Sequence, residues 1–250
     1  MLTNEKAVIE SLWCLKTFYH FIDLFPKLVI HDDGSLSDKA ISIFQKHFEG
    51  VRVIRKIDSD QQMKEYLKNY EYSLKYQIDN YMPHSIKLFD FFYFSNSSLL
   101  ALDSDILFFN KPIEVYKFLN QRIGFYMSDY RNSYSFSHEY IKEKFNFEIS
   151  SKINSGLFFI PSVMDYDKLL IENVLRLCYE KNYPLNQWTE QTTYAILFSK
   201  YRHKFKRLSK TYQISNQSIS KDTVCHHFVN DGSRPLFYTR GIKTLKKSFP

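Results

Sequence analysis

The chain is poor in the residues that build tight loops and covalent staples: its 250 residues include 6 glycines, 7 prolines and 3 cysteines. So little glycine excludes repeated glycine-rich phosphate loops, and neither Gly-x-Gly-x-x-Gly nor Gly-x-x-x-x-Gly-Lys occurs. Cys14, Cys178 and Cys225 are odd in number and far apart, which supplies neither a disulfide framework nor a zinc site. A reducing, cytoplasmic setting is therefore expected. No apolar run approaches the ~20 residues of a membrane-spanning helix, and no charged-then-apolar leader is read at the start. A Pro/Gly/Ser-rich linker and an internal repeat are also missing, so residues 1–250 are expected to form a single domain.

What is present is a globular composition, 44% hydrophobic and 24% charged, which excludes a disordered tail or a coiled coil. Aromatic residues reach 18% and the formal net charge is +7. The basic residues cluster: Lys200, Arg202, Lys204, Lys206, Arg207 and Lys210 in one stretch, Lys243, Lys246 and Lys247 in another. Such stretches suit nucleic acid, an anionic membrane face or an acidic substrate, and equally a plain solvated surface.

Hydrophobic spacing predicts an alternating order of helices and strands. Val8, Leu12, Leu15 and Tyr19 recur at helical spacing over residues 4–22. Further helices are expected at 38–48, 58–70, 85–95, 113–120, 138–147, 164–181 and 189–200. Strands are expected at 27–30, 51–54, 99–109 (broken by Asp103-Ser104-Asp105), 123–127, 155–161, 205–208 and 223–229. That alternation implies an α/β fold with a largely parallel sheet.

The sharpest local feature is Asp103-Ser104-Asp105, set between Leu-Leu-Ala-Leu and Ile-Leu-Phe-Phe. Two carboxylates between core segments suffer several kcal/mol of desolvation if unpaired, so a partner is required. At i and i+2 both can reach one hard cation that keeps places open for substrate phosphates. An isolated Asp-x-Asp more often caps a helix, which is how Asp58-Ser59-Asp60 reads.

The segment Leu-Ala-Leu-Asp-Ser-Asp-Ile-Leu-Phe resembles the Asp-x-Asp segment of nucleotide-sugar glycosyltransferases of the GT-A fold. Asn154-Ser155-Gly156, opening a strand, resembles the corresponding Asn-small-Gly of glycosyltransferase family eight, the glycogenin-like and lipopolysaccharide-galactosyltransferase-like group. Glu190-Gln191 is similar to that group's acidic-Gln pair, and His227-Phe228 to its late His-aromatic element. Lys87 matches its upstream basic residue, and Asp32-Asp33-Gly34-Ser35 fits the wider superfamily. Order and spacing agree over residues 85–230. Two departures stand out. Only Met1-Leu2-Thr3 precede the first helix, so the fold is expected to lack its first strand, and the C-terminal element lacks a Lys-Pro-Trp continuation.

The resemblance implies a GT-A-like mixed, mostly parallel sheet flanked by helices, with a nucleotide-binding N-terminal half and an acceptor-binding C-terminal half. It implies a hexosyltransferase moving a sugar from a UDP-linked donor to a glycan, glycolipid or other hydroxyl acceptor, with retention of configuration, in polysaccharide or lipopolysaccharide synthesis. Asp103, Asp105 and His227 would hold Mn²⁺, or Mg²⁺ second, because imidazole beside carboxylates favours the softer ion. His226 and His227 face opposite sides of a strand, so only one can be a ligand, and Phe228 favours His227. Asp32, Asp33, Lys87, Asp103, Ser104, Asp105, Asn154, Ser155 and Gly156 would bind the donor, and Glu190 and Gln191 would lie at the reacting carbon. Plain roles stay open beside these: an exposed helix lysine for Lys87, a strand-start turn for Asn154 and Gly156, helix capping for Glu190 and Gln191. The Tyr/Ser-rich stretch 126–140 reads as the acceptor-side loop or a surface loop. The basic stretches would touch an anionic membrane face from the cytoplasmic side.

Three rivals are weighed. An Asp-x-Asp phosphohydrolase would want Thr or Val where Leu107 stands. A nucleic-acid binder would pair the basic stretch with Tyr201 and Phe205 but leave Asp103 and Asp105 without purpose, so nucleic acid is not expected as a partner. A catalytically impaired sugar-nucleotide binder would follow from a missing first strand.

Overall fold

The computed structural model describes residues 1–22, 24–79, 81–95, 97–163, 166–215 and 218–246. Lys247 and the first two residues of the helix expected at 164–181 lie outside them.

The N-terminal third is a parallel sheet backed by helices. In chain order it runs β1 (Leu2–Thr3), α1 (Val8–Phe21), β2 (Val29–Asp32), α2 (Asp38–His47), β3 (Arg52–Ile54) and α3 (Lys56–Tyr66), with strand order β1-β2-β3. The first strand, expected to be missing, is therefore present as β1, paired in parallel with β2 through Leu2↔His31 and Thr3↔Asp32. The Met1 ammonium donates to Val29 O at 2.8 Å, and burial pushes its pKa down to about 5. A two-residue strand carries no periodicity of its own; only its hydrogen bonds to β2 define it. Ser37 caps α2 by accepting from Ala40 N. Asp58, Ser59 and Asp60 do not cap a helix as read: α3 starts two residues before Asp58 with no side-chain cap at Arg55, Ser59 Oγ donates to Asp90, and Asp60 pairs with Lys56.

Short helices α4 (Glu71–Leu74), α5 (Ser85–Leu88) and α6 (Asp90–Tyr93) lead into β4 (Leu99–Leu102) and β5 (Ile106–Phe108), which are separated by the Asp103-Ser104-Asp105 turn. Then come α7 (Ile113–Gln121), β6 (Gly124–Ser128), α8 (His138–Phe145), β7 (Ile153–Ile160), α9 (Lys168–Glu180) and α10 (Gln187–Lys200). The chain closes with β8 (Phe205–Arg207), β9 (Tyr212–Ile214), β10 (Cys225–His227), α11 (Asn230–Leu236), a π-helical turn at Phe237–Ile242 and α12 (Lys243–Leu245).

Outside the N-terminal sheet the pairing is mixed. β7, buried along its whole length, lies antiparallel between β4 and β6, and β6 pairs in parallel with β8. β10 lies antiparallel to β5 and parallel to β9, a strand the periodicity did not signal. Helix α10 is buried from Thr189 to Ser199 despite its polar residues. Thr192, Thr193 and Ser199 donate to the carbonyls of Trp188, Thr189 and Ala195 one turn back, which satisfies their hydroxyls inside the core. The helix begins with a capping box between Asn186 and Thr189.

Candidate active site

Two strand registers assemble the site. In β4–β7 pairing Leu102 faces Leu157, so Asp103, one residue past β4, donates its N–H to Gly156 O at 2.8 Å. In β5–β10 pairing Ile106 faces His227, so Asp105, one residue before β5, accepts the Phe228 N–H on its carbonyl at 3.0 Å. The Asp-Ser-Asp turn is thereby held from both sides, and Ser104 sits half-buried at its apex.

The result is a cluster of Asp103, Asp105 and His227 whose ligand atoms lie within 4.8 Å of one another. His227 Nε2 is 3.0 Å from Asp105 Oδ1 and 3.8 Å from Asp103 Oδ2. Two carboxylates facing an imidazole nitrogen favour positive charge there, either on the protonated ring or on a cation. Burial disfavours charge on both Asp105 and His227, yet their mutual attraction and hydrogen bond outweigh it. The carboxyl is held below its ordinary pKa and the imidazole above its own. His226 points elsewhere: its Nε2 meets Ser215 O at 2.7 Å, and burial lowers its pKa to about 4.

Lys87 is not an exposed helix lysine. It is 2% exposed, and its Nζ meets Asp103 Oδ1 at 3.0 Å, Glu190 Oε1 at 3.2 Å and Ser155 O at 2.9 Å. Its hydrogen bond goes to Ser155 O, and the Asp103 and Glu190 carboxylates stand beside it as ion-pair partners. Burial works against its charge, and the two carboxylates outweigh that and raise its pKa. Glu190, also 2% exposed, accepts from Ser155 Oγ at 2.9 Å. Burial raises its pKa to about 7, the nearby Asp103 adds to this and Lys87 opposes it.

Gln191 donates to Asp129 Oδ2 at 3.0 Å and Ser133 O at 3.2 Å, and accepts from Asn154 Nδ2 at 3.3 Å. Asn154 also donates to Asp129 Oδ2 at 3.4 Å, accepts from Gly156 N at 2.9 Å, and sets its Oδ1 3.0 Å from His227 Nδ1. Gly156 packs against the His227 ring: a β-carbon there would fall 2.5 Å from Nδ1. Asp32 and Asp33 stand at the carboxyl end of β2, where Asp32 Oδ1 accepts from Gly34 N and Leu36 N, and Asp33 Oδ1 from Ser35 N and Oγ.

No family model and no curated protein sequence matches the chain. Solved structures do. Mouse xyloside xylosyltransferase 1, apo form, matches with a TM-score of 0.61 at 11% identity, over 93% of this chain and 97% of that one. The galactosyltransferase LgtC in complex with donor and acceptor sugar analogues matches with a TM-score of 0.59 at 11% identity, over 100% and 95%. Core-mannan synthase A from Aspergillus fumigatus, in an Mn/GDP form, matches with 0.55 at 7% identity, over 83% and 71%. The chain has the GT-A glycosyltransferase fold.

On that GT-A framework two groups escaped the sequence reading. Asp129, one residue past β6 and buried, anchors both Gln191 and Asn154; the sequence placed it only inside the stretch 126–140. Trp188, half in solvent, stands beside Arg131, whose guanidinium lies 5.9 Å from its ring and 5.2 Å from that of Tyr130. Nothing in the spacing of Trp188 and Arg131 signals that α10 and the 126–140 segment meet.

Proposed function

We propose that this GT-A chain is a metal-dependent glycosyltransferase that moves a hexose from a nucleotide diphosphate sugar, UDP-linked, to a hydroxyl acceptor with retention of configuration. The observation that carries the proposal is the convergence of Asp103, Asp105 and His227 within 4.8 Å at the turn between β4 and β5. Their donor set, two carboxylates and an imidazole, fits Mn²⁺ first and Mg²⁺ second.

A bound divalent cation would act as Lewis acid, neutralising charge on the departing diphosphate. The other residues have work of their own. Asp32 and Asp33 lie at the carboxyl end of a parallel strand, where α/β folds bind nucleotides. Lys87 fixes Asp103 and Glu190 and balances part of the charge of three clustered carboxylates. Ser155 and Gly156 present the start of β7 to the donor. Gln191 Oε1 keeps one lone pair for developing positive charge at the anomeric carbon, and Glu190 stands next to it. In the transfer the bond from C1 to the diphosphate oxygen breaks and a bond from C1 to the acceptor oxygen forms on the same face. The acceptor's proton passes to the departing phosphate oxygen.

The chain reads as one domain, with the donor half N-terminal and the acceptor half C-terminal. Tyr130, Arg131 and Trp188 support an acceptor side at the 126–140 segment, since exposed rings stack on sugars. The acceptor class is a glycan or glycolipid. Three free, buried cysteines suit the cytoplasm, and exposed Arg202, Lys206, Arg207, Lys210, Lys243 and Lys246 suit contact with an anionic membrane face. Among the described residues no helix is long and apolar enough to cross a membrane. The nucleic-acid reading is weaker, because Phe205 is buried and the Tyr201 hydroxyl donates to Asp167 Oδ2. The impaired-binder reading loses its main ground with β1 in place.

The test is incubation with UDP- and GDP-sugars plus Mn²⁺, scoring released nucleotide and then the product anomer by proton coupling. Donor turnover abolished in Asp105→Asn supports the enzyme. Donor binding without turnover would favour the impaired binder, and a β-linked product from an α-linked donor would remove retention.

A further inference from the structure

The Asn154 side chain has no hydrogen-bonding capacity left for a ligand. A primary amide offers two lone pairs and two hydrogens. Here Oδ1 faces Gly156 N at 2.9 Å and His227 Nδ1 at 3.0 Å, while Nδ2 faces Gln191 Oε1 at 3.3 Å and Asp129 Oδ2 at 3.4 Å. The side chain is buried, so no water replaces any of the four.

The orientation of the amide is dictated at both ends. A backbone N–H only donates, so the atom facing Gly156 is the oxygen; an ionised carboxylate only accepts, so the atom facing Asp129 is the nitrogen. That leaves an acceptor opposite His227 Nδ1, and Nδ1 must carry the ring proton. The neutral ring then has its lone pair on Nε2, the atom that faces Asp103 and Asp105.

We propose that Asn154 is a positioning residue: it locks His227 in the Nδ1–H tautomer and aims the Nε2 lone pair at the Asp103/Asp105 pair. Gly156 completes the seat, since its missing β-carbon is the space the ring occupies and its N–H holds the Asn154 oxygen in place. The amide's other end is tied to Gln191 and Asp129, so the same residue joins the acid–amide pair to the Asp-Asp-His cluster. This differs from a sugar-contacting role, which would need a free donor or acceptor. The metal half of the test rests on the metal reading above; the tautomer half does not.

The first experiment is long-range ¹⁵N–¹H NMR of the histidines in the metal-free full chain, at an alkaline pH where the His227 ring is neutral, with His227→Gln used to assign its signals. The expected spectrum has a protonated Nδ1 and an unprotonated Nε2; an Nε2–H tautomer overturns the proposal. The second is Mn²⁺ titration calorimetry. Asn154→Leu should weaken Mn²⁺ binding by about 10- to 100-fold, the usual effect of removing a group that orients a metal ligand. The same change in a His227→Ala background should do nothing further. Combining Asn154→Asp with Asp129→Asn, which exchanges acid and amide across the contact, should restore affinity. Full Mn²⁺ affinity in folded Asn154→Leu, or losses that add in the double variant, overturns the proposal. Unchanged affinity in His227→Ala removes only the metal reading, and the tautomer measurement then decides the positioning role.

Discussion

The ammonium of Lys87 and the carboxylate of Glu190 face each other at 3.2 Å with both side chains 2% exposed. They come from different helices, α5 and α10, and neither has solvent to fall back on. Removing one partner of such a pair is far more damaging than the pair is stabilising, because a buried charge is left uncompensated.

Lys87→Met is therefore expected to lower stability by roughly 3–5 kcal/mol in denaturant unfolding. Lys87→Met combined with Glu190→Gln should recover most of that loss. Equal stability of single and double variants would contradict a direct pairing.

Glu190 also predicts a pH dependence. Its pKa is about 7 in the folded chain against 4.5 ordinarily. Between those values the folded state holds the proton more tightly than the unfolded state. The native chain thus loses stability as pH rises from about 4.5 to 7. By that linkage the contribution is about 3 kcal/mol. Glu190→Gln should flatten this part of the profile, read as the difference in unfolding free energy between variant and parent from pH 4 to 8. A difference independent of pH would argue against the raised pKa.

Gly156→Ala sets a methyl against the His227 ring. The expected result is a loss of about 1–3 kcal/mol, the usual result of overpacking, together with weakened Mn²⁺ binding. Calorimetry of unfolding and of Mn²⁺ titration separates the two. Wild-type Mn²⁺ affinity in a destabilised variant would show that the ring keeps its place.

Chelation offers a fourth check. EDTA should abolish nucleotide release from the donor, and added Mn²⁺ should restore it more fully than Mg²⁺. Turnover that persists in EDTA would exclude a metal-dependent reaction.

Much of the candidate site could be read along the chain because its signals are short-range. Asp103 and Asp105 stand out as charges between two apolar strand segments, and β4 and β5 do flank them. His227 could be preferred over His226 from strand alternation and the following Phe228, and the two rings do diverge. Capped helices such as α2 were legible for the same reason. What could not be read depended on partners distant in sequence. β1 exists only through β2, and β9 only through β10. Asp129 has no motif around it, and its role comes from two amides 25 and 62 residues away. Asn154 was visible as a residue but not as one whose hydrogen-bonding groups are already committed, and Lys87 not as one buried between two carboxylates.

Alternating helix- and strand-spaced apolar segments, with an Asp-x-Asp between two of them, were enough to imply an α/β fold with a carboxylate pair in need of a counter-charge. Those properties are local, since composition sets which backbone and side-chain chemistries exist, and period 2 or 3.6 sets which face they occupy. The tertiary structure decided who supplies the counter-charge and in what geometry. The β4–β7 and β5–β10 registers bring Gly156 to Asp103 and His227 to Asp105, and burial then makes the Asp129, Asn154 and Gln191 side chains hydrogen-bond to one another. Strand register and desolvation are properties of packed elements, so the partners of Lys87, Asn154 and Asp129 arise only once the chain has folded.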